Sequence, residues 1–177
     1  MSKKVLVLAS SPRKGGNSDT LANEFAIGAR EFGNSTDKIF LRDQRINYCT
    51  GCGTCFQKKP CPQKDDMPYI LEAMLNADVI ALATPVYFYT MNAQMKTMID
   101  RCCSRYAEIR GKEFYFLLAA ADTEVSAMKR TVESLRAFIS CLGDAKERGI
   151  IYGVGAYQIG DLSESIKKQA YEMGRDV

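Results

Sequence analysis

The sequence predicts an α/β protein, a three-layer doubly wound fold with a five-stranded parallel sheet in the middle. Short apolar runs alternate with amphipathic stretches along the chain, the pattern expected where strands alternate with helices. The first and third runs are strongly apolar, which is typical of central strands buried on both faces. The length of 177 residues suits one hydrophobic core, so we expect residues 1–177 to form a single domain.

Each element follows from its local pattern. The first strand, "KVLVLAS", is a short apolar run after a basic start, and the five predicted strands lie at residues 4–10, 37–42, 78–84, 114–120 and 148–154. The amphipathic stretches between and after them predict helices at residues 18–31, 67–76, 92–103, 123–142 and 161–173. In such a sheet, ligands bind beyond the carboxyl ends of the strands, which directs attention to the loops after the first, third and fourth strands.

Composition excludes several classes of function. The chain has no histidine, which rules out imidazole general bases and histidine-based triads. The net charge is +3 with scattered lysines and arginines, so no basic stripe marks a nucleic-acid surface. The most apolar window, "ADVIALATPVYFYTM", is shorter than the roughly 18 to 20 residues of a membrane span. The seven cysteines and the lack of a secretion signal indicate a reducing compartment, so we expect a cytoplasmic protein without membrane contacts.

The loop after the first strand, "SSPRKGGNSDT", has the composition of a phosphate-binding loop. Its glycines allow backbone amides to turn inward, Arg13 can grip a phosphate through two hydrogen bonds, and Asn17 or Ser18 would cap the following helix. The loop matches neither a Walker loop nor a dinucleotide fingerprint, so a nucleoside triphosphate is disfavoured. The alternative is a flexible turn in which Asn17 only caps the helix. The candidate ligands are Ser10, Ser11, Arg13, Asn17 and Ser18.

The loop after the third strand, "TPVYFYTMNAQMK", presents three consecutive aromatic residues. Thr84 precedes Pro85 and is therefore held extended, and Tyr87, Phe88 and Tyr89 follow where a parallel strand leaves the core. Such rings can stack on a planar heterocycle, whose polar edge the loop amides can bind. Alternatively, these aromatics belong to the core or to an interface.

Four cysteines lie close together in "CTGCGTCFQKKPCP", within a cysteine-rich loop at residues 47–64. The spacing of Cys49, Cys52, Cys55 and Cys61 is close to that of bacterial ferredoxins, and the two glycines permit close approach of amides to sulfur. Zinc fits less well, because structural zinc sites use two separated pairs of ligands. Free or paired thiols remain an alternative. The other three cysteines fall on predicted helices, where we expect them to pack as small apolar residues.

Together these segments resemble the flavodoxin-like NAD(P)H-dependent FMN reductases, and more closely the iron-sulfur flavoproteins among them. The resemblance rests on "SSPRKGGNS", "TPVYF", "KTMIDR" and the cysteine spacing, and it covers about residues 4–120. It implies the strand order 2-1-3-4-5, FMN phosphate held by the first loop, and a 4Fe-4S cluster on the four cysteines. The flavin ring would lie against Thr84, Pro85, Val86, Tyr87 and Phe88, with Ala121 and Asp122 of "AAADTE" in a third loop.

The resemblance also implies a function. We expect an FMN-binding oxidoreductase or electron-transfer protein, reduced by NAD(P)H and exchanging electrons with a ferredoxin or a quinone, in which the cluster carries single electrons. Because the flavin supplies the chemistry, no catalytic side chain is assigned. The alternative is a flavin or thiol redox sensor that lacks the cluster. We expect a homodimer or homotetramer in which a neighbouring chain helps to enclose the FMN. The segment "GVGA" after the last strand lacks a third glycine and is given no role.

Overall fold

The computed structural model describes residues 2–57 and 59–177, so Met1 and Lys58 of the cysteine-rich loop lie outside it. Five strands form a parallel sheet in the order β2-β1-β3-β5-β6, and a sixth, β4, pairs antiparallel with the end of β3. The strands are β1 (Lys4–Ala9), β2 (Ser35–Phe40), β3 (Val79–Tyr87), β4 (Thr90–Met91), β5 (Glu113–Ala119) and β6 (Lys146–Gly153).

The α/β class and the parallel sheet agree with the prediction, but the strand count does not. The third strand was expected to end at Thr84, whereas β3 continues through Pro85 to Tyr87 and turns back into β4. The sheet therefore has six strands instead of five. Its parallel strands follow the order 2-1-3-5-6, which is the expected order 2-1-3-4-5 with the last two strands renumbered because β4 precedes them. Sequence patterns miss β4 because a two-residue strand has no period to detect.

Helices cover both faces of the sheet, as expected for three layers. They are α1 (Asn17–Glu31), α2 (Met67–Asn76), α3 (Ala93–Arg101), α4 (Lys129–Ser140) and α5 (Glu164–Arg175). Helices α1 and α5 pack against one face, and α2, α3 and α4 pack against the other. Helix α4 begins later than predicted because a 3-10 turn, Val125–Met128, precedes it, and α3 ends earlier because the chain tightens into another 3-10 turn at Cys102–Ser104.

Two glycines bring α1 and α5 into direct backbone contact. A Cβ atom on Gly28 would overlap the carbonyl of Tyr171, and one on Gly174 would overlap the carbonyl of Phe25. Any larger residue at either position would separate the two helices. This close crossing fixes the last turns of α5 relative to α1.

Candidate functional site

The loop between β1 and α1 is a tight, glycine-containing turn. Ser11 Oγ accepts a hydrogen bond from the Arg13 amide at 3.1 Å and donates one to the Arg13 carbonyl at 3.0 Å. Gly16 packs against the same turn, since a Cβ atom there would lie 2.9 Å from Ser11 Oγ. Gly16 is the N-cap of α1, so the expectation that Asn17 or Ser18 caps the helix is wrong. The free amides of the first helical turn therefore face the cavity beside this loop.

Ser18 carries an unsatisfied polar group in this loop. The residue is 2% exposed, and its hydroxyl has no hydrogen-bond partner among the described residues. A buried hydroxyl without a partner costs about 1 to 3 kcal/mol relative to a bonded one. Arg13 lies on the same cavity and is exposed. A hydroxyl, a guanidinium and a helix N-terminus at one place form a combination that suits an anion.

Beneath the loop lies a buried ion pair that fixes its shape. Asp19 accepts a hydrogen bond from the Gly15 amide at 2.9 Å and pairs with Lys38 at 2.5 Å and with Arg42 at 3.5 Å. Burial alone would raise the pKa of Asp19, but the hydrogen bonds from Lys38 and Gly15 outweigh it, so the pKa lies below its ordinary value. Lys38 and Arg42 thus neutralise the charge of Asp19. A second anion could therefore bind on the cavity side of the loop without repulsion from an unpaired Asp19.

Two predicted ligands hold the strands together instead of lining the cavity. Ser10 Oγ donates to the Ala83 carbonyl at 2.9 Å, and Thr84 Oγ1 donates to Asn92 Oδ1 at 3.2 Å. Both side chains are completely buried. Asn92, which sequence analysis missed, caps α3 by accepting from the Met95 amide at 3.3 Å. The expectation that the Ser10 and Thr84 side chains face a ligand is therefore not supported.

The aromatic loop after β3 is a hairpin with an unusual turn. Phe88 and Tyr89 have positive φ values of 48° and 66°, a conformation that normally favours glycine or asparagine. Tyr87 lines the cavity, but Phe88 is 99% exposed and is not among the cavity residues. Pro85 and Val86 contribute the remaining lining on this side. Of the five residues predicted on this loop, three line the cavity.

The third wall combines the loop after β5 with a segment that sequence analysis discounted. Ala121 lines the cavity, whereas Asp122 instead accepts a hydrogen bond from the Glu124 amide at 2.9 Å. The loop after β6, which begins with "GVGA", supplies Ala156, Tyr157 and Ile159. Asn17 holds this loop in place, because its Nδ2 donates to the Gln158 carbonyl at 2.7 Å and its Oδ1 accepts from the Gly160 amide at 3.1 Å.

The resulting cleft lies at the carboxyl ends of β1, β3, β5 and β6 and has a volume of about 200 Å³. Its residues are Ser11, Arg13, Gly16, Asn17, Ser18, Pro85, Val86, Tyr87, Ala119, Ala121, Ala156, Tyr157 and Ile159. Polar groups collect at the α1 end, and apolar and aromatic groups form the remainder. The cleft therefore suits a ligand with a phosphate at one end and a planar ring at the other.

The four predicted metal ligands come together on the cysteine-rich loop. Cys49, Cys52, Cys55 and Cys61 line a single cavity of about 80 Å³. Gly51 and Gly53 turn the chain between them with φ values of 67° and 72°. In the described ranges, no three side chains of the metal-binding types are close enough to hold one metal ion. The cysteine ligands of a four-iron cluster lie farther apart than the ligands of a single metal ion. The relevant observation for a cluster is therefore that the four cysteines line one cavity.

Arg101 of α3 joins the two ends of the cysteine-rich loop. Its guanidinium binds Asp65 through two hydrogen bonds of 2.6 and 3.1 Å, with both side chains nearly completely buried. It also donates to the Asn47 carbonyl at 2.7 Å and to Cys61 Sγ at 3.6 Å. Burial has the largest single effect and raises the pKa of Asp65, but Arg101 and the amides of Asn47 and Met67 together outweigh it, so that pKa lies below its ordinary value. The same pairing raises the pKa of Arg101 despite its burial.

The remaining cysteines divide into three environments. Cys102 is buried, and burial raises its pKa to about 12, as expected for a packing residue. Cys141 is exposed, so the expectation that it packs in the core is wrong. Cys103 lines the cysteine cavity, with its Sγ atom 3.7 Å from Cys55 Sγ. The cavity therefore has five thiols, one more than the sequence motif predicts.

A doubly wound sheet with a helix N-terminus and an aromatic cleft at its carboxyl edge defines an α/β protein of the flavodoxin type. The chain belongs to the NADPH-dependent FMN reductase family, whose model matches residues 3–149. This confirms the resemblance inferred from the sequence. The match includes the cleft loops after β1, β3 and β5 and the cysteine-rich loop, and it ends within β6, before the fourth cleft loop.

Several relatives of this chain are named iron-sulfur flavoproteins. An iron-sulfur flavoprotein of Archaeoglobus fulgidus is 40% identical over 98 residues, covering 55% of this chain and 44% of the relative. The iron-sulfur flavoprotein MJ1083 of Methanocaldococcus jannaschii is 41% identical over 98 residues, which are 55% of this chain and 51% of that protein. These alignments span about half the length of the relatives. A further A. fulgidus iron-sulfur flavoprotein is 28% identical over 93% of this chain and 87% of its own length.

Solved structures share the fold at low sequence identity. The NAD(P)H:quinone oxidoreductase of Methanothermobacter marburgensis superimposes with a TM-score of 0.77 at 18% identity, covering 99% of this chain and 97% of that one. An FMN-dependent NADH-azoreductase of Bacillus anthracis, in complex with FMN, gives a TM-score of 0.70 at 16% identity, with 99% and 97% covered. Among the described helices, none has the length and apolarity needed to cross a bilayer.

Proposed function

We propose that the chain is an FMN-dependent oxidoreductase whose flavin is reduced by NADH or NADPH. The observation that carries this proposal is the buried Ser18 hydroxyl, which lacks a partner beside the N-terminus of α1 and the exposed Arg13. A phosphate there would satisfy the hydroxyl and the free helix amides together. The family description, which names FMN and NADPH, supports the same ligand.

The residues of the cleft divide between the two ends of FMN. Ser11, Arg13 and Ser18 would hold the phosphate, and Asn17 would position the loop after β6 against it. Val86, Tyr87, Ala121 and Tyr157 would contact the ring. Bound FMN would supply hydride and single-electron chemistry, so the side chains need only bind, orient and exclude water. We assign no catalytic acid or base.

Replacing Arg13 tests the phosphate site. Arg13→Ala should weaken FMN binding roughly tenfold to a hundredfold, because a charge-assisted hydrogen bond contributes about 1.5 to 3 kcal/mol. Riboflavin, which lacks the phosphate, should bind equally well to both proteins in a fluorescence titration. Lys14→Ala is the matched control, since Lys14 is a neighbouring exposed cation that is not among the cleft residues. Equal losses of FMN and riboflavin affinity would refute this assignment.

We further propose that Cys49, Cys52, Cys55 and Cys61 hold a 4Fe-4S cluster. Their thiols share one cavity, the Cys52 thiol has its pKa lowered by hydrogen bonds from Thr54, and Arg101 donates to Cys61. Relatives with iron-sulfur names support this assignment. When bound, a cluster would exchange electrons one at a time with an external ferredoxin or quinone.

Anaerobic reconstitution tests the cluster. The wild-type protein should take up about four irons per chain. Cys52→Ser should lose the iron and keep FMN, because the cleft and the cysteine cavity use different loops. Cys141→Ser, which changes an exposed cysteine outside the cavity, should keep both. Stoichiometric zinc, or no metal, in the wild-type protein would refute the proposal.

A thiol sensor is the second candidate function, and the 3.7 Å distance between Cys55 and Cys103 favours it. Oxidation by a peroxide would join the two sulfurs, releasing two protons and two electrons that reduce the peroxide. Peroxide titration followed by mass spectrometry should then find this disulfide without flavin turnover. Rapid NAD(P)H oxidation by the FMN-loaded protein would exclude a role limited to sensing.

We propose that the working unit is a homodimer or homotetramer. A cleft of about 200 Å³ is smaller than the 300 Å³ or more typical of ligand pockets, so one chain would leave part of the flavin uncovered. The exposed hairpin aromatics Phe88 and Tyr89 stand beside this cleft and suit contact with a neighbouring chain. Light scattering and FMN titration over a dilution series test the proposal. A monomer with full FMN affinity would contradict it.

A further inference from the structure

A second cavity, larger than the flavin cleft, lies against the cysteine-rich loop. Its volume is about 730 Å³, which falls within the range of small-molecule sites. It is lined by residues 55–56 and 59–61 of that loop, by the first half of α2, and by Arg101 and residues 103–108. Among the described residues, it shares no lining residue with the flavin cleft. We call it the arm cavity.

The lining of the arm cavity has an apolar floor and a cationic, aromatic rim. Met67 and Leu71 of α2 form part of the floor and are otherwise buried in the core. Phe56 and Tyr106 lie on the rim with exposures of 81% and 43%. Exposed rings beside an apolar floor suit a flat aromatic ligand, which can stack on them.

Cationic groups of the arm cavity favour an anion. Three cationic side chains, Lys59, Arg101 and Arg105, contribute to the lining. Arg105 is paired with Glu72 and Glu108 and Arg101 with Asp65, so among the described residues Lys59 is the lining cation without a carboxylate partner. Arg101 is nearly completely buried, yet its Nε has no partner among the described residues, although its other nitrogens bind Asp65, Asn47 and Cys61. A buried guanidinium N–H without an acceptor is costly, and an acidic ligand edge would satisfy it.

The arm cavity shares a wall with the cysteine cavity. Cys55, Cys61, Arg101 and Cys103 line both. A molecule in the arm cavity would therefore lie against Cys55 and Cys61, two of the four cysteines that we assign to the cluster. No such adjacency links the arm cavity to the flavin cleft, since the two have different walls.

We propose that the arm cavity binds a planar aromatic anion of the quinone class and that electrons leave the protein there. The direction of electron flow rests on the proposed function, but binding does not. One quinone takes up two electrons, passed singly across the shared wall, and two protons from water, which gives the hydroquinone. The electrons come from NAD(P)H, which is oxidised to NAD(P)⁺ with release of one proton. A concave cavity of this volume suits a small molecule better than the flat surface of a protein partner.

Binding is tested with naphthalene-2-sulfonate, a redox-inert aromatic anion, added to the FMN-saturated, reduced protein in a calorimeter. Ala107 is exposed and lines the arm cavity, so Ala107→Trp should fill part of it and weaken binding at least tenfold. Ala137→Trp places the same bulk on exposed α4, away from the cavity, and should bind as the wild type does. Tyr106→Ala provides a second variant and should weaken binding about twofold to tenfold, because it removes a stacking partner.

Three outcomes would overturn the proposal: no binding by the wild-type protein, equal binding by Ala107→Trp and the wild type, or displacement of bound FMN by the probe. The last outcome would place the probe in the flavin cleft. Because FMN saturation is verified first, failure of the flavin assignment is detected separately from failure at the arm cavity.

Electron transfer is tested with anthraquinone-2-sulfonate in an anaerobic stopped-flow experiment. Ala107→Trp should accept electrons from NADPH at the wild-type rate and pass them to the quinone at least tenfold more slowly. Ala137→Trp should match the wild type in both steps. Equal rates of quinone reduction in Ala107→Trp and the wild type would place the exit elsewhere and overturn the proposal.

Discussion

Asn92 Nδ2 donates a hydrogen bond to the backbone carbonyl of Ser10, with a distance of 2.6 Å, although 82 residues separate them in sequence. The same side chain caps α3 through the Met95 amide and binds the Thr84 hydroxyl. The ends of β1 and β3 and the start of α3 are thus tied to one buried amide. Because the phosphate loop begins at Ser10 and the aromatic hairpin begins at Thr84, this amide sets the spacing of two cleft walls.

Asn92→Ala should lower the free energy of unfolding by about 2 to 4 kcal/mol, because it removes a helix cap and leaves buried partners unsatisfied. Denaturant titration measures the loss. Ser163→Ala is the matched control: Ser163 caps α5 by accepting from the Ile166 amide at 3.3 Å in an exposed position. That variant should lose only about 0.5 to 1 kcal/mol. Similar losses in the two variants would show that the bond to Ser10 adds nothing.

Sequence patterns predict those parts of the fold that depend on local periodicity. Helix α2 matches its predicted bounds, and the five parallel strands lie close to theirs, since apolar spacing reports which residues face the core. Asn92 could also have been found, because asparagine directly before an amphipathic segment is a helix-start signal. Its bond to Ser10 could not, because it depends on how two distant strands pair.

Patterns also indicate which loops build the cleft, but not which atoms face it. Composition favoured Ser10 and Ser18 equally, yet in the folded chain the Ser10 hydroxyl donates to the Ala83 carbonyl, whereas the Ser18 hydroxyl has no partner among the described residues. The cysteine motif identifies four thiols by spacing alone, whereas Cys103 joins them only through folding. The Asp65–Arg101 pair likewise bridges 36 positions and has no sequence signature.

Ser18→Ala should change ligand affinity and stability in opposite directions. Without ligand, removing an unsatisfied buried hydroxyl should leave the protein equally stable or more stable by up to about 1 kcal/mol. With ligand, FMN affinity should fall roughly tenfold, because one phosphate hydrogen bond is lost. Thermal unfolding with and without saturating FMN measures both effects. Loss of stability without ligand would show that the hydroxyl has a partner, such as a buried water.

Arg101→Met should destabilise the protein by about 3 to 5 kcal/mol, because it leaves the buried Asp65 carboxylate unpaired. The matched control is Arg136→Met, which breaks the exposed Arg136–Glu147 pair of 2.6 Å and should cost less than about 1 kcal/mol. Urea titrations of both variants measure the difference. Adding Asp65→Leu to Arg101→Met should recover most of the loss. A double variant no more stable than Arg101→Met would mean that the unpaired charge is not the cause.

The buried Asp19 should make the free energy of unfolding depend on pH. Its pKa is lower in the folded protein than in the unfolded chain, where an aspartate titrates near pH 3.9. The carboxylate therefore stabilises the fold above that pH, and the contribution disappears as the pH falls toward the folded value. Asp19→Asn should be less stable than wild type at pH 7, and the difference should shrink near pH 3. Asp37→Asn, an exposed control, should show no comparable change. A constant difference for Asp19→Asn would contradict the prediction.

The residues of the hairpin turn should lower the stability of the fold and promote self-association. Non-glycine residues at positive φ cost about 1 to 2 kcal/mol each, and Phe88 and Tyr89 both adopt this conformation at an exposed tip. The double variant Phe88→Asn/Tyr89→Gly has the residues that such a turn prefers, so its free energy of unfolding should rise by about 1 to 2 kcal/mol. Its self-association should weaken, because the exposed rings are lost. Asp144→Gly relieves a similar φ of 56° away from the cleft, and it should stabilise the protein without changing assembly. Denaturant titration measures the change in stability, and light scattering measures the change in self-association. A destabilised double variant would show that the turn is not strained, and unchanged self-association would show that the aromatic residues are not part of an interface.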